Sequence, residues 1–352
     1  MQTFATLVLA LGWLAQGGPT TAQDGGAGGA PAPIGQDGDL DQLGRELRGE
    51  GPWRPAEGPK PPYEPYRTPV RPLEVPTSPW SLESRLRLEQ HGGADLGGSP
   101  GRLETRRIGF DVGASRGDRD GGFLGGLSVE FSEYRFRDAT GILPNTDSPT
   151  EDLYSLALSA GWRQRWNEQW AWLASASARA AGEHRAELQD GLTYSGLGTL
   201  TYDVERGLGL TFGALVSTEL EDSTQVVPLI GLDWRIDART EVTTRGPRIE
   251  LSRELDGGFR SFVAVEYQSR QYRLDDQGPL PEGALRDRTF AATVGLEWNP
   301  EIGAKALANS RLRVFAGSNL WREISFLDDD DTVARSRLHP GPVFGVSLRT
   351  TF

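Results

Sequence analysis

Residues 154–162 read YSLALSAGW. Tyr154, Leu156, Leu158, Ala160 and Trp162 fall on one side of this stretch, with Ser155 and Ser159 opposite. A period of two marks a strand with one apolar face, because successive side chains of a strand point to opposite faces while a helix repeats every three to four. The same alternation recurs along the chain from Trp80 onward. It appears in Ile108-Phe110-Val112-Ala114, in Phe123-Leu127-Val129-Phe131, and in Leu208-Leu210-Phe212-Ala214-Val216. Later come Val263-Val265-Tyr267, Phe290-Ala292-Val294-Leu296-Trp298, Leu312-Val314-Ala316 and Phe344-Val346-Leu348. No segment sustains a helical period, so the reading is all-β.

A soluble sandwich also alternates. Segment length and aromatic placement favour a transmembrane antiparallel up-and-down barrel instead. The alternating runs last about nine to eleven residues, which is what a tilted strand needs to cross a bilayer. Tryptophans gather near their ends (Trp162, Trp166, Trp170, Trp172, Trp234, Trp298, Trp321), as interfacial girdles require. Early connections alternate between long and short, the pattern of outer loops and tight turns. About thirteen strand-like segments are visible, and an even number is expected of a single-chain bacterial barrel. The odd count traces to residues 240–255, where Gly246-Pro247 interrupts a run, and proline cannot donate to a ladder. A bulge or re-entrant kink is expected there, giving about twelve strands (10–14) over 80–352.

Composition sets further bounds. The 352 residues include 45 Gly and 23 Pro, with only 37% hydrophobic residues and no cysteine. Disulfides, thiolate metal sites and cysteine nucleophiles are therefore excluded. The formal charge of −12 argues against nucleic acid as a partner. Mean hydropathy is −0.45, and no apolar run after the first twenty residues suits a spanning helix. Residues 1–22 read as a signal peptide, with an apolar core over Phe4–Leu14 and small residues Thr20-Thr21-Ala22 before Gln23. Residues 23–79 are dense in Pro and Gly and read as a disordered periplasmic linker, unable to bury enough apolar surface to offset chain entropy. Lys60 and Lys305 are the only lysines, so guanidinium supplies nearly all the positive charge.

The chain ends FGVSLRTTF. Phe344, Val346, Leu348, Thr350 and Phe352 on one face resemble the C-terminal signature of bacterial outer-membrane barrels. By that resemblance the chain is inserted by the barrel assembly machinery into the bacterial outer membrane, in contact with its lipid and lipopolysaccharide. The blocks PLIGLDWRIDART (228–240), TTRGPRIELS (243–252) and YRLDDQGPLPEG (272–283) are similar to blocks of uncharacterised outer-membrane β-barrel proteins of diderm bacteria. That family carries no assigned activity.

Chemistry is sparse. His91, His184 and His339 all fall in expected loops, without a nucleophile elbow or metalloprotease motif. No cofactor pattern is present, and the expectation is a non-enzyme, with an outer-membrane hydrolase ranked third among functions. Asp328, Asp329, Asp330 and Asp331 could hold Ca²⁺, yet they lack the spaced pattern of a formed loop and read as a solvated acidic loop. Projecting the alternation inward gives the candidate lumen. It comprises Arg85, Arg87, Asp111, Glu130, Arg163, Asp233 and Arg235, then Arg248, Glu250, Glu266, Glu297, Arg311, Arg313 and Arg349. These interleaved charges suit either a narrow porin-like channel for small hydrophilic solutes or a non-conducting barrel with acidic outer loops.

Overall fold

The structure, a computed structural model, describes residues 80–352 except 99, 118–120, 140–141, 144–145, 147–148, 151, 206, 300–308 and 329–330. The expected signal peptide and linker, with Asp329 and Asp330, lie outside the described residues. The first strands are β1 (Trp80–Gly97), β2 (Arg102–Gly117), β3 (Gly121–Arg137), β4 (Asp152–Arg165) and β5 (Trp170–Glu183). They continue as β6 (Leu192–Glu205), β7 (Leu208–Glu219), β8 (Asp222–Arg235), β9 (Thr240–Arg245) and β10 (Arg248–Glu254). The remainder are β11 (Phe259–Arg273), β12 (Ala284–Trp298), β13 (Ser310–Asp328), β14 (Asp331–Leu338) and β15 (Gly341–Thr351).

Sequential neighbours pair antiparallel, and β1 pairs with β15 through Arg85↔Arg349 and Leu86↔Leu348, which closes the sheet. The strands β14 and β15 are one wall position broken at His339-Pro340, since β13 pairs with β14 through its distal part and with β15 below it. The barrel therefore has fourteen strands, not about twelve. The correction comes from Gly246-Pro247, which is the two-residue turn of a hairpin rather than an interruption of one strand. Gly246 adopts φ +57°, a left-handed geometry that suits glycine. The first connection is short, since β1 runs on to Gly97 and β2 begins at Arg102. Phe352 is held to the end, its N–H donating to Leu82 O at 2.8 Å.

Outside, an apolar band circles the barrel. The strands β1, β2, β3, β4 and β12 leave it at a polar residue on the side away from the termini: Gln90, Arg106, Glu133, Asp152 and Arg288. The opposite rim carries Trp80, Trp162, Trp166, Trp170, Trp172, Trp234 and Trp298, with Trp170 against Tyr202 at 4.6 Å between ring centroids. Of the described tryptophans only Trp321 lies towards the other rim, so charge rather than indole marks that boundary. Some nine residues per strand at about 3.3 Å each, tilted by roughly 40°, make the band about 20–25 Å tall.

Two features set the interior. At the distal end, inward residues Leu103, Phe136, Leu153, Leu285, Ile324 and Phe326 form an apolar core. Ala139, Ile142 and Leu143 of the β3–β4 connection are folded into it. Each buried Leu or Phe adds on the order of 1.5–3 kcal/mol. The second feature is a low stretch of wall. The β9–β10 hairpin is short, and β8 pairs with β9 only through Asp233, Trp234 and Arg235. Above it the β7–β8 tip crosses to the outer side of β11–β12, where Leu220 N–H donates to Gln271 Oε1 at 2.7 Å. Leu220 also packs on Ala284 and Leu327.

Candidate functional site

The lumen is layered. Directly beneath the apolar core lies a buried ionic layer centred on Asp287 of β12, only 1% exposed. Its carboxylate accepts hydrogen bonds from Arg107 Nη2 at 2.6 Å, Tyr134 Oη at 2.7 Å and Arg322 Nη2 and Nε at 2.8 and 3.1 Å. Arg322 Nη2 also donates to Thr105 Oγ1 at 2.7 Å. Glu130 accepts from Arg270 Nε at 2.9 Å, Arg87 Nη2 at 3.2 Å and Tyr272 Oη at 3.2 Å. His91 sits against Glu89, Arg107 Nη1 and the Asn319 amide. Arg107, Arg270 and Arg322 thus face Glu89, Glu130 and Asp287, three charges of each sign. This equality is what a dry layer requires, since an unpaired buried charge is costly.

Below this layer, on the side of the termini, lies a cavity of about 310 Å³. Nine of the projected lumen residues line it: Arg85, Arg87, Arg248, Glu250, Glu266, Glu297, Arg311, Arg313 and Arg349. Arg248 bonds Glu250 and Glu266, both at 2.8 Å, and Arg313 reaches Glu250 and Glu297. The Arg313 guanidinium also lies 3.5 Å over the Phe262 ring centroid. Phe262 and Phe315 enter the lumen because glycines stand beside them. A Cβ on Gly345 would come within 2.2 Å of the Phe315 ring, and one on Gly295 within 2.6 Å of Phe262.

The other five projected residues lie elsewhere. Glu130 belongs to the buried layer. Asp111 pairs across from Arg85 and accepts from Ser128 Oγ at 2.6 Å. Arg163, Asp233 and Arg235 are exposed at the ends of β4 and β8, on the side of the termini, outside the cavity lining.

The inner wall differs across the barrel. On β5 to β7 the inward residues are mostly small or hydroxylated, with pairs Ser177–Ser195 at 2.7 Å and Thr201–Thr211 at 2.9 Å. The charged side chains concentrate on β1–β3 and β10–β13, with Arg349 on β15.

Sequence reasoning missed several members. His91 is not a solvated loop residue, because β1 continues through it and its ring is 1% exposed. Extending the phase of Arg85 and Arg87 by two and four residues reaches Glu89 and His91. Likewise, Arg270 follows in the phase of Glu266. Arg322 could not be found this way, since an irregularity between Phe290 and Ala291 in the β12–β13 pairing shifts the inward phase of β13 from Asn319 to Arg322. His184 and His339 are exposed connections. Asp328 and Asp331 are exposed at the mouth of the β13–β14 hairpin, and among the described residues no acidic or histidine cluster has metal-binding geometry.

No family model matches the chain, and no curated protein matches it. Solved structures overlap at low similarity. An outer membrane channel from Pseudomonas putida F1 is 11% identical at a TM-score of 0.44, over 80% of this chain and 100% of that one. The deltaS2 mutant of the monoaromatic hydrocarbon channel TodX is 12% identical at 0.43, over 78% and 91%. The KdgM porin is 11% identical at 0.32, over 77% and 99%. Overlap at this level carries no information on solute or mechanism.

Proposed function

We propose that this chain is an exported outer-membrane barrel acting as a narrow porin-like channel for small hydrophilic solutes. The supporting observation is the cavity in a closed barrel whose outside is apolar and whose inside, below the distal apolar core, is charged or hydroxylated. In this reading residues 1–22 are removed on export and 23–79 form a periplasmic linker. Lipid and lipopolysaccharide contact the apolar band, and the barrel assembly machinery recognises the β15 face from Phe344 to Phe352. Closure suits lipid, where an unpaired backbone group costs several kcal/mol.

The apolar core around Leu143 favours a second reading, a barrel held shut. Catalysis is not part of either reading, and His91 is committed to the buried layer.

Single-channel recording of the purified full-length protein in a planar bilayer tests the first reading. Stepwise openings are expected. A barrel that inserts and shows the heat-dependent mobility shift of a folded barrel, yet never conducts, refutes it.

A further inference from the structure

The two charged layers of the lumen are composed differently. The buried layer is balanced, whereas the cavity below it is lined by eight arginines against three glutamates besides Glu89 of that layer. The excess is arranged rather than scattered. Arg311 of β13 pairs directly across from Arg349 of β15, and Arg349 pairs across from Arg85 of β1. Three guanidiniums therefore stand side by side at one level, and Arg313 and Arg87 occupy the next level on the flanking strands.

Like charges directly opposite on adjacent strands destabilise a sheet. Glu83, Glu297 and Asp111, which stands across from Arg85, relieve the row only in part. Glu83 serves both Arg349 and Arg85, the latter at 3.9 Å, and Glu297 serves Arg311 at 3.6 Å and Arg313 at 3.9 Å. Arg85 and Arg311 keep 41% and 49% of their side-chain surface in contact with solvent, so their N–H groups remain available to a solute.

From this we infer that the cavity is a binding station for small multiply charged oxyanions, carboxylates or phosphates, gripped by the row Arg311–Arg349–Arg85. The planar guanidinium matches the two oxygens of either group, and a row of three spans more than one such group on a single solute. A walled, low-dielectric cleft concentrates this field on the passing ion. The overall charge of −12 does not oppose it, because the attraction acts at contact range within the lumen. The inference rests on the channel reading for transport, but the station itself does not require conduction.

The test therefore has two readouts on the full-length protein and on Arg85→Gln/Arg349→Gln. The first is reversal potential and current block in a planar bilayer, with citrate, phosphate and uncharged sucrose as probes. The second is calorimetric titration of citrate and of phosphate into the detergent-solubilised barrel. Expected are anion selectivity, block by citrate or phosphate but not sucrose, and saturable binding. Affinity should fall about tenfold per guanidinium removed, the equivalent of roughly 1.4 kcal/mol for one charge-assisted bond. Comparing citrate with phosphate assigns the preferred oxyanion. Binding without conduction keeps the station and overturns the channel. Conduction that is cation-selective or unselective, with no saturable binding, overturns the station and keeps the channel. Neither conduction nor binding overturns both. Arg311→Gln serves as a single-site variant should the double variant fail the heat-shift test of folding.

Discussion

Replacing Asp287 with Asn should destabilise the barrel more than any other single charge removal in the lumen. The substitution keeps shape but removes the carboxylate on which Arg107 and Arg322 converge, and places an amide donor among guanidinium donors. With 1% exposure at Asp287 and at both arginine side chains, no solvent replaces the lost charge. Removing one partner of such a buried group costs about 3–5 kcal/mol. Glu297→Gln is the matched control in the cavity. Its partners Arg311 and Arg313 lie at 3.6 and 3.9 Å and Arg311 is half exposed, so the expected loss is about 0–1 kcal/mol. The assay is reversible guanidinium unfolding of the barrel in lipid vesicles, followed by tryptophan fluorescence and checked by heat-dependent mobility. A loss below about 1 kcal/mol for Asp287→Asn, or one equal to that of Glu297→Gln, would show that water fills the Asp287 layer and that the contrast between layers is wrong.

Three further outcomes follow from particular residues. Gly345→Ala places a Cβ 2.2 Å from the Phe315 ring and should cost about 1–3 kcal/mol in the same unfolding assay, with Phe315→Leu in the same chain restoring most of it. Leu143→Asp puts a carboxylate into the distal apolar core, where Leu143 is 2% exposed, and should raise single-channel conductance if that core is the stopper; unchanged conductance in a folded variant assigns the constriction elsewhere. The Asp237 carboxylate accepts the N–H groups of Arg239 at 2.7 Å and Thr240 at 2.8 Å, and these bonds hold its titration below the usual carboxylate range. Its support of the β8–β9 turn is therefore complete above the titration of an unfolded aspartate and is lost as pH falls through the lowered value. Carbon-13 NMR of the Asp237 carboxyl should show the depressed midpoint, and a midpoint at the ordinary aspartate value would contradict the turn geometry.

The outer face was legible because lipid-type alternation is local: Ile108 to Ala114, or Phe290 to Trp298, needs only the period of two. Strand number was not, because a hairpin turn and a mid-strand kink look alike when both contain Gly-Pro. Only the pairing of β9 with β10 separates them. Projected residues fall on the cavity lining where the phase runs unbroken, as from Arg311 to Arg313 or from Arg248 to Glu250. It failed at Arg322, where one irregular pairing moved the inward set by one residue. Burial was the least legible property. Arg107 and Arg311 have the same inward phase, yet one is dry and the other wet, because the β3–β4 connection closes over the first. That connection carries no alternation to announce where it folds.

The low wall at β9–β10 bears on how solvent reaches the cavity. Among the described residues the β8–β9 ladder stops at Asp233, and above it Leu232 N–H donates to the Thr244 hydroxyl at 3.2 Å. Pro228, which has no N–H to offer, lies within this unpaired stretch, as prolines of edge strands do. The other main-chain groups of that edge cannot face hydrocarbon without a cost of several kcal/mol each. Those groups therefore need polar partners above the hairpin, from water or from side chains as Thr244 supplies to Leu232. Arg245 and Arg248 flank the hairpin turn and also line the cavity, so the low wall brings the arginine-rich layer to the top of the hairpin. Above the hairpin β11 meets β5 through Arg273↔Gly182, so the distal core around Leu143 and the short hairpin bound the lumen on different sides.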